Sequence, residues 1–132
     1  MMASTIQAAA LWGGMLILLL FALSGAAAGR RRHHRIAIGD GGQHDLALAM
    51  RAFGNASEYI PAGLCGLILL AILGTPPALI HTVGGLLFAG RLIHAVAMFY
   101  QRGLSMVRAL GMTLTWLSLL ITGVSLIVWS VL

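Results

Sequence analysis

The chain has no lysine, one cysteine and three acidic residues among its 132, and each shortage removes a class of function. A lone thiol, Cys65, cannot form an internal disulfide or a two-cysteine redox motif. Its place in the middle of an apolar run leads us to expect a buried, inert side chain. Only 8% of residues are charged while 60% are hydrophobic, so there is more apolar surface than a soluble domain of this size can bury. The eight cations are all Arg and leave no soluble basic surface, which excludes a nucleic-acid binder despite a formal charge of +5. His33, His34, His44 and His81 have no Cys or carboxylate partners at ligand spacing, so no metal site is expected. Internal repeats and low-complexity stretches are also lacking.

What is present is four apolar runs, approximately 6–28, 46–73, 77–100 and 109–132, each meeting the roughly 20 residues needed to cross a bilayer. The expected fold is all-α: an integral membrane four-helix bundle that makes one domain of residues 1–132. Arg30, Arg31, Arg32 and Arg35 follow the first run, and Arg102 and Arg108 flank the third connection. The second connection, around Gly74 to Pro77, carries no charge. The positive-inside bias therefore puts the first and third connections in the cytoplasm and both termini outside. Ala26, Ala27 and Ala28 resemble a signal-peptidase site. A missing basic n-region, an overlong apolar run and the Arg cluster behind it instead point to a retained helix. Gly25 and Gly29 have the small-xxx-small spacing of close helix packing.

Arg51, Asn55 and Glu58 stand at i, i+4 and i+7, on one face of the second helix. Charges at membrane depth are costly unless paired or opened to water, so such a face holds a partner or a ligand. Asp45 is positioned to cap this helix. Pro61 frees the carbonyl of Ser57, so a kink beyond Glu58 is expected. Arg91 and His94 share a face of the third helix, whose Gly84, Gly85 and Gly90 admit near neighbours. At 1.5 Å per residue, Glu58 lies about 18 Å from Leu46 and Arg91 about 14 Å from Tyr100, so the two sit at comparable depth. The polar groups describe a funnel opening inward, with positive charge in excess over Glu58. Several Arg with one Glu suit a ligand with more than one carboxylate and an ammonium. Glutathione fits, as would a phospholipid head group or an amino-acid-like solute.

The run Arg51-Ala-Phe-Gly-Asn55-Ala-Ser-Glu58-Tyr59-Ile-Pro61 resembles the second-helix signature of the MAPEG family, the membrane-associated proteins in eicosanoid and glutathione metabolism. The resemblance covers most of the chain: the basic loop, Gly39-Asp40-Gly41-Gly42, Gly90-Arg91-Leu92-Ile93-His94, and an Arg opening the fourth helix. It implies a homotrimer of four-helix subunits in a bacterial inner membrane that binds glutathione between neighbours near the cytoplasmic face. It further implies a glutathione-dependent transferase or peroxidase acting on lipophilic electrophiles or lipid hydroperoxides. By matching position, Arg51, Asn55, Glu58 and Tyr59 would contact glutathione, Arg91 and His94 would support the cluster, and Arg30 would reach in from the first helix. Arg108 would be the catalytic residue that holds the sulfur as a thiolate, the reactive form. Met98 stands where some eicosanoid-metabolising members have Tyr, and Ala109 and Met112 where they offer a hydroxyl. These departures argue against a prostaglandin or leukotriene synthase, and the Gly39–Gly42 loop resembles bacterial members instead.

Plainer readings stand beside these. Arg51 and Glu58 can form a buried ion pair that sets helix register. Arg108 sits where topology alone would put an Arg. Met98, Met106 and Met112 read as lipid-facing or packing residues, and Arg30 to Arg35 suit anionic lipid. A noncatalytic glutathione- or lipid-binding protein and a small-solute transporter therefore remain as alternatives to the enzyme.

Overall fold

A computed structural model describes residues 2–100 and 105–131. Arg102, used above for topology, lies outside them, as does Leu132 at the end of the fourth apolar run. The described residues form α1 (Met2–His34), α2 (His44–Ile72), α3 (Pro77–Tyr100) and α4 (Met106–Ser130), with no strand. All four are long and apolar enough to span a membrane. The main departure from the apolar runs is α1, which continues past residue 28 through the Arg cluster to His34. Arg is a good helix former, and Arg31, Arg32, His33 and His34 fall in the last turn, where the helix dipole favours cations. In α2 the helix runs on through Pro61.

The four helices do not contribute equally. α2 packs against all three others and α3 packs most extensively on α4, whereas α1 and α4 make no direct contact among the described residues. Leu16, Ile60, Leu67, Leu70, Ile80 and Leu87 are fully buried between α1, α2 and α3. Phe21, Ile72, Trp116 and Ile127 are among the large apolar side chains left outside, as expected where lipid is the solvent. Cys65 is exposed among them, not buried as its sequence context suggested, because its position on α2 faces away from the bundle.

Small residues set the helix spacings. A Cβ at Gly84 would run into the Trp12 ring, and one at Gly63 into Leu87. α3 and α4 meet backbone to backbone: a Cβ on Gly90 would stand 2.8 Å from Gly111 O, and one on Gly111 2.7 Å from His94 N. Both obstacles are backbone, which cannot yield. Gly25 and Gly29, by contrast, have nothing within 4 Å of such an atom, so within the subunit they mediate no close helix contact.

Two helix ends share one hydrogen-bond pattern with different residues at its key position. At the end of α2, Thr75 N donates to Leu70 O at 3.3 Å and Gly74 N to Ala71 O at 3.1 Å, with Gly74 left-handed at φ 71. At the end of α1, Ile36 N donates to Arg31 O at 3.0 Å and Arg35 N to Arg32 O at 3.2 Å, with Arg35 left-handed at φ 56. This paired pattern satisfies carbonyls that the helix end would orphan, and it normally uses glycine. A side chain in that conformation costs about 1 kcal/mol or more. Arg35→Gly should therefore raise stability by about 1 kcal/mol, and Gly74→Ala should lower it by a similar amount; thermal unfolding in detergent reads both changes.

Candidate functional site

Arg91 is the largest fully buried side chain among the described residues, 1% exposed, and its guanidinium reaches the helices on either side of α3. Nε donates to Thr115 Oγ1 at 2.8 Å and Nη1 to Asn55 Oδ1 at 2.6 Å. Nη2 donates to Met112 Sδ at 3.2 Å and, at 3.5 Å, to Gly111 O. The guanidinium also lies 4.9 Å from the centroid of the Tyr59 ring, within range of a cation–π contact. Asn55 and Tyr59 thus belong to a polar network joining α2, α3 and α4. With Oδ1 held by Arg91, the amide orientation of Asn55 is fixed and its NH2 group is left for other partners.

The α4 side of this network is one that sequence reasoning missed, because 109–132 reads simply as an apolar run. Gly111, Thr115, Ser118 and Thr122 are buried in one stripe, at i, i+4, i+7 and i+11. Thr115 Oγ1 donates to Gly111 O at 2.9 Å while accepting from Arg91, and Ser118 Oγ donates to Val83 O at 2.7 Å. The periodicity was readable; the mild polarity of Thr and Ser hid it. Methionine sulfur was missed too. Met98 is buried, and its Sδ accepts from Arg108 Nη1 at 3.6 Å, the role that Met112 plays for Arg91. Both act as weak acceptors for guanidinium groups in addition to packing. Arg108 itself is half-buried in the first turn of α4, where Ser105 Oγ accepts from its backbone N–H and caps the helix. His94 is buried nearby, and the charges of Arg91, Arg108 and Arg51 all act on it.

Arg51 and Glu58 do not form the ion pair that the plainer reading supposed. Both are exposed, and among the described residues neither makes a salt bridge. They line a groove of about 290 Å³ along α2, with Asn55 between them and Ala47, Met50 and Gly54 alongside. Glu58 is the midpoint of α2, fourteen residues from either end (58 − 44 and 72 − 58), so the groove reaches from one end of the helix to its middle. Its wall also includes Asp40, from the loop between α1 and α2. The lining therefore carries one cation and two anions, not the excess of positive charge we expected. Arg91 lies behind it, engaged with Asn55, and Arg108 is not among the lining residues.

Arg30 lies elsewhere. Its guanidinium is 4.9 Å from the Phe99 ring centroid and its Nε is 3.7 Å from Asp45 Oδ2, so it clasps the ends of α1, α2 and α3 together. Asp45 is not the cap of α2 either. Gln43 occupies that position without a side-chain bond, and Asp45, inside the first turn, takes His34 Nε2 at 2.9 Å. A second groove, about 470 Å³ between α1 and α2, lies in the other half of the bundle and is lined by apolar residues such as Ile6, Ala10, Gly13, Leu64 and Ile68. It offers lipid a surface and no chemistry.

The model of the MAPEG family matches residues 9–128. Inner membrane protein YecN of Escherichia coli K12 is 40% identical over 87 residues, 66% of this chain, and its counterpart in Escherichia coli O6:H1 (strain CFT073) matches to the same extent. The matched stretch is 65% of those relatives' own length. No solved structure matches.

Burial separates two kinds of arginine here, and mutation should separate them too. Arg91→Leu removes the donor that satisfies Asn55 and Thr115 inside the bundle and should destabilise the protein by about 2–4 kcal/mol. Arg51→Ala, on an exposed face, should change stability by less than about 0.5 kcal/mol. Unfolding of the two variants in the same detergent, compared with wild type, gives the contrast.

Proposed function

The chain belongs to the MAPEG family, and from that premise we propose that it is a membrane-bound, glutathione-dependent transferase or peroxidase acting on lipophilic electrophiles or lipid hydroperoxides. One observation carries the reading: Arg51 and Glu58 are exposed and unbridged on the side of a groove that ends at the midpoint of a membrane-spanning helix. Charges at such depth demand compensation from a ligand, from water or from a neighbouring subunit. Glutathione supplies it, since its carboxylates suit the planar donors of Arg51 and its N–H groups suit the carboxylate of Glu58. Asn55, held by Arg91, offers its NH2 to the same ligand, while Arg91 and Tyr59 act from behind by fixing the groove's floor and the family resemblance gives His94 a supporting part.

Arg108 would hold the glutathione sulfur as a thiolate, because a nearby guanidinium favours the charged form of a thiol. The thiolate then attacks an electrophilic carbon arriving from the bilayer, forming a thioether as a leaving group departs or a conjugated double bond takes up the electron pair. With a lipid hydroperoxide it takes the terminal oxygen as the O–O bond breaks and the alcohol leaves, and a second glutathione converts the sulfenic acid to glutathione disulfide and water. Since Arg108 lies against Met98 and outside the lining of the α2 groove, this chemistry needs the groove of one subunit to meet Arg108 of another. A homotrimer with sites between subunits meets that need. Arg30, clasped to Asp45 and Phe99, would act at the rim of the site. The name of the Escherichia coli relative supports an inner-membrane location, and the Arg distribution supports the N-out, C-out orientation. A noncatalytic glutathione- or lipid-binding protein is the second reading, favoured by the methionines where hydroxyl-bearing residues assist other family members. A small-solute transporter fits less well, because the charges line one half of the bundle only.

Binding and chemistry should part under mutation. Arg51→Ala and Glu58→Ala should each weaken glutathione binding by about 1.5–3 kcal/mol. Arg108→Ala should leave most binding intact, raise the pKa of the bound thiol and slow turnover of a lipophilic electrophile. The thiolate's ultraviolet absorbance, titrated against pH, reports this directly. An unchanged thiol pKa in Arg108→Ala would favour the noncatalytic reading, and no detectable glutathione binding by wild type would end the enzyme reading altogether.

A further inference from the structure

We propose that Asp40, held over the groove by the loop between α1 and α2, is a specificity residue that selects ligands bearing an ammonium group. This rests on the reading that the groove holds glutathione, and it names the feature by which glutathione would be told from other polycarboxylates. Asp40 precedes Arg51 by eleven residues (51 − 40) and lies off α2, yet it lines the same groove as Arg51 and Glu58.

The loop that places it there is tied down. Gly39, Gly41 and Gly42 are left-handed, at φ 71, 57 and 75, a backbone path that other residues rarely follow. Asp40 Oδ1 accepts from Gly42 N at 3.0 Å, and Asp40 O accepts from Gln43 N at 2.9 Å. Arg31 fastens the loop to both neighbouring helices. From α1 its Nη1 donates to Ala37 O at 3.2 Å and Gly39 O at 3.0 Å, and its Nη2 donates to Sδ of Met50, itself a lining residue of the groove, at 3.3 Å. Arg31 is therefore a positioning residue for Asp40, and the turn uses only one of the two carboxylate oxygens.

The groove's lining then holds Arg51 together with two carboxylates, Asp40 from the loop and Glu58 about two helical turns beyond Arg51 along α2. In an α-amino acid the ammonium and carboxylate share one carbon, so a ligand whose carboxylate meets Arg51 brings its ammonium alongside. Asp40 favours that ammonium. A ligand with the carboxylates but no ammonium meets two like charges and one opposite. Glu58, at the inner end, is then left to accept from an amide N–H of the same ligand.

The test is a binding titration of the purified full chain in detergent, with glutathione and with its deaminated analogue, in which hydrogen replaces the ammonium. Wild type should prefer glutathione by about tenfold, the weight of one charge-assisted hydrogen bond partly open to water. Asp40→Asn keeps an acceptor for Gly42 N–H, and so keeps the turn, while removing the charge. It should cost glutathione about tenfold in affinity and leave the analogue's affinity unchanged or higher. Arg31→Gln, which releases the loop, should likewise lower the preference while the analogue still binds. If Asp40→Asn weakens both ligands equally, or neither, Asp40 has no part in selectivity, and the proposal fails while the glutathione reading stands. Wild type that binds neither ligand overturns both.

Discussion

A guanidinium enclosed among membrane-spanning helices has to be satisfied from inside the protein, and this requirement at Arg91 organises much of the bundle. Water is not available at that position to meet the N–H groups, and each unmet donor would cost several kcal/mol. α2 supplies Asn55 and the Tyr59 face; α4 supplies Thr115, the Gly111 carbonyl and the Met112 sulfur. The last three are within reach only because α3 and α4 approach so closely, and that approach is possible only because Gly90 and Gly111 have no side chains where the two backbones meet. Thr115 then turns its own proton back to Gly111 O, which closes the network without a buried polar side-chain atom left unpartnered among the described residues. Helix spacing, the α4 stripe and the fixed amide of Asn55 all follow from one buried cation.

The same chain treats its other arginines differently, and the contrast separates scaffold from site. Arg30 and Arg31 spend their donors on Asp45, Phe99 and loop carbonyls at the end of the bundle. Arg51 makes no such commitment and faces the groove beside Glu58. A network already saturated, such as that of Arg91, has little to give a ligand except rigidity. An exposed, unbridged pair can change partners. Methionine belongs to the scaffold side of this division: a thioether takes an N–H weakly and offers no proton, so Met98 and Met112 can steady Arg108 and Arg91 without competing as acids or bases.

Much of this was legible in sequence. Four spans follow from hydropathy alone, and Arg51, Asn55 and Glu58 share a face because helical period requires it. What periodicity could not settle is which members of that face look inward: Asn55 faces both Arg91 and the groove, while Arg51 and Glu58 remain outside. That depends on the rotation of α2 against α3, set by Leu87 over Gly63 and by the bond from Arg91 to Asn55, contacts between residues distant in sequence. The α4 stripe was hidden because Thr and Ser look neutral to a hydropathy scale. Asp40 was hidden for another reason: it lies in a loop, and a loop has no period to say where its side chains go. Cys65 shows the limit from the other direction, since the middle of an apolar run means burial in a soluble protein but only membrane depth here.

A groove whose charges are unpaired within one subunit also bears on how that subunit exists in a membrane. Facing lipid, Arg51 and Glu58 would drag water toward the middle of α2 or distort the bilayer around them, and either carries a free-energy cost. A neighbour packed over the groove would exclude lipid from it and leave a polar chamber open at the end that carries the α1–α2 loop. Arg108 lies apart from that groove, half-buried on the side of α3 and α4 with Met98 Sδ beside its guanidinium. On the proposed reading, one subunit's Arg108 over the next subunit's groove would bring a cation to the place where a bound thiolate would lie. On this view assembly and ligand binding meet the same electrostatic demand. The polar face of α2 is then tolerable in a membrane for the same reason that it is useful there.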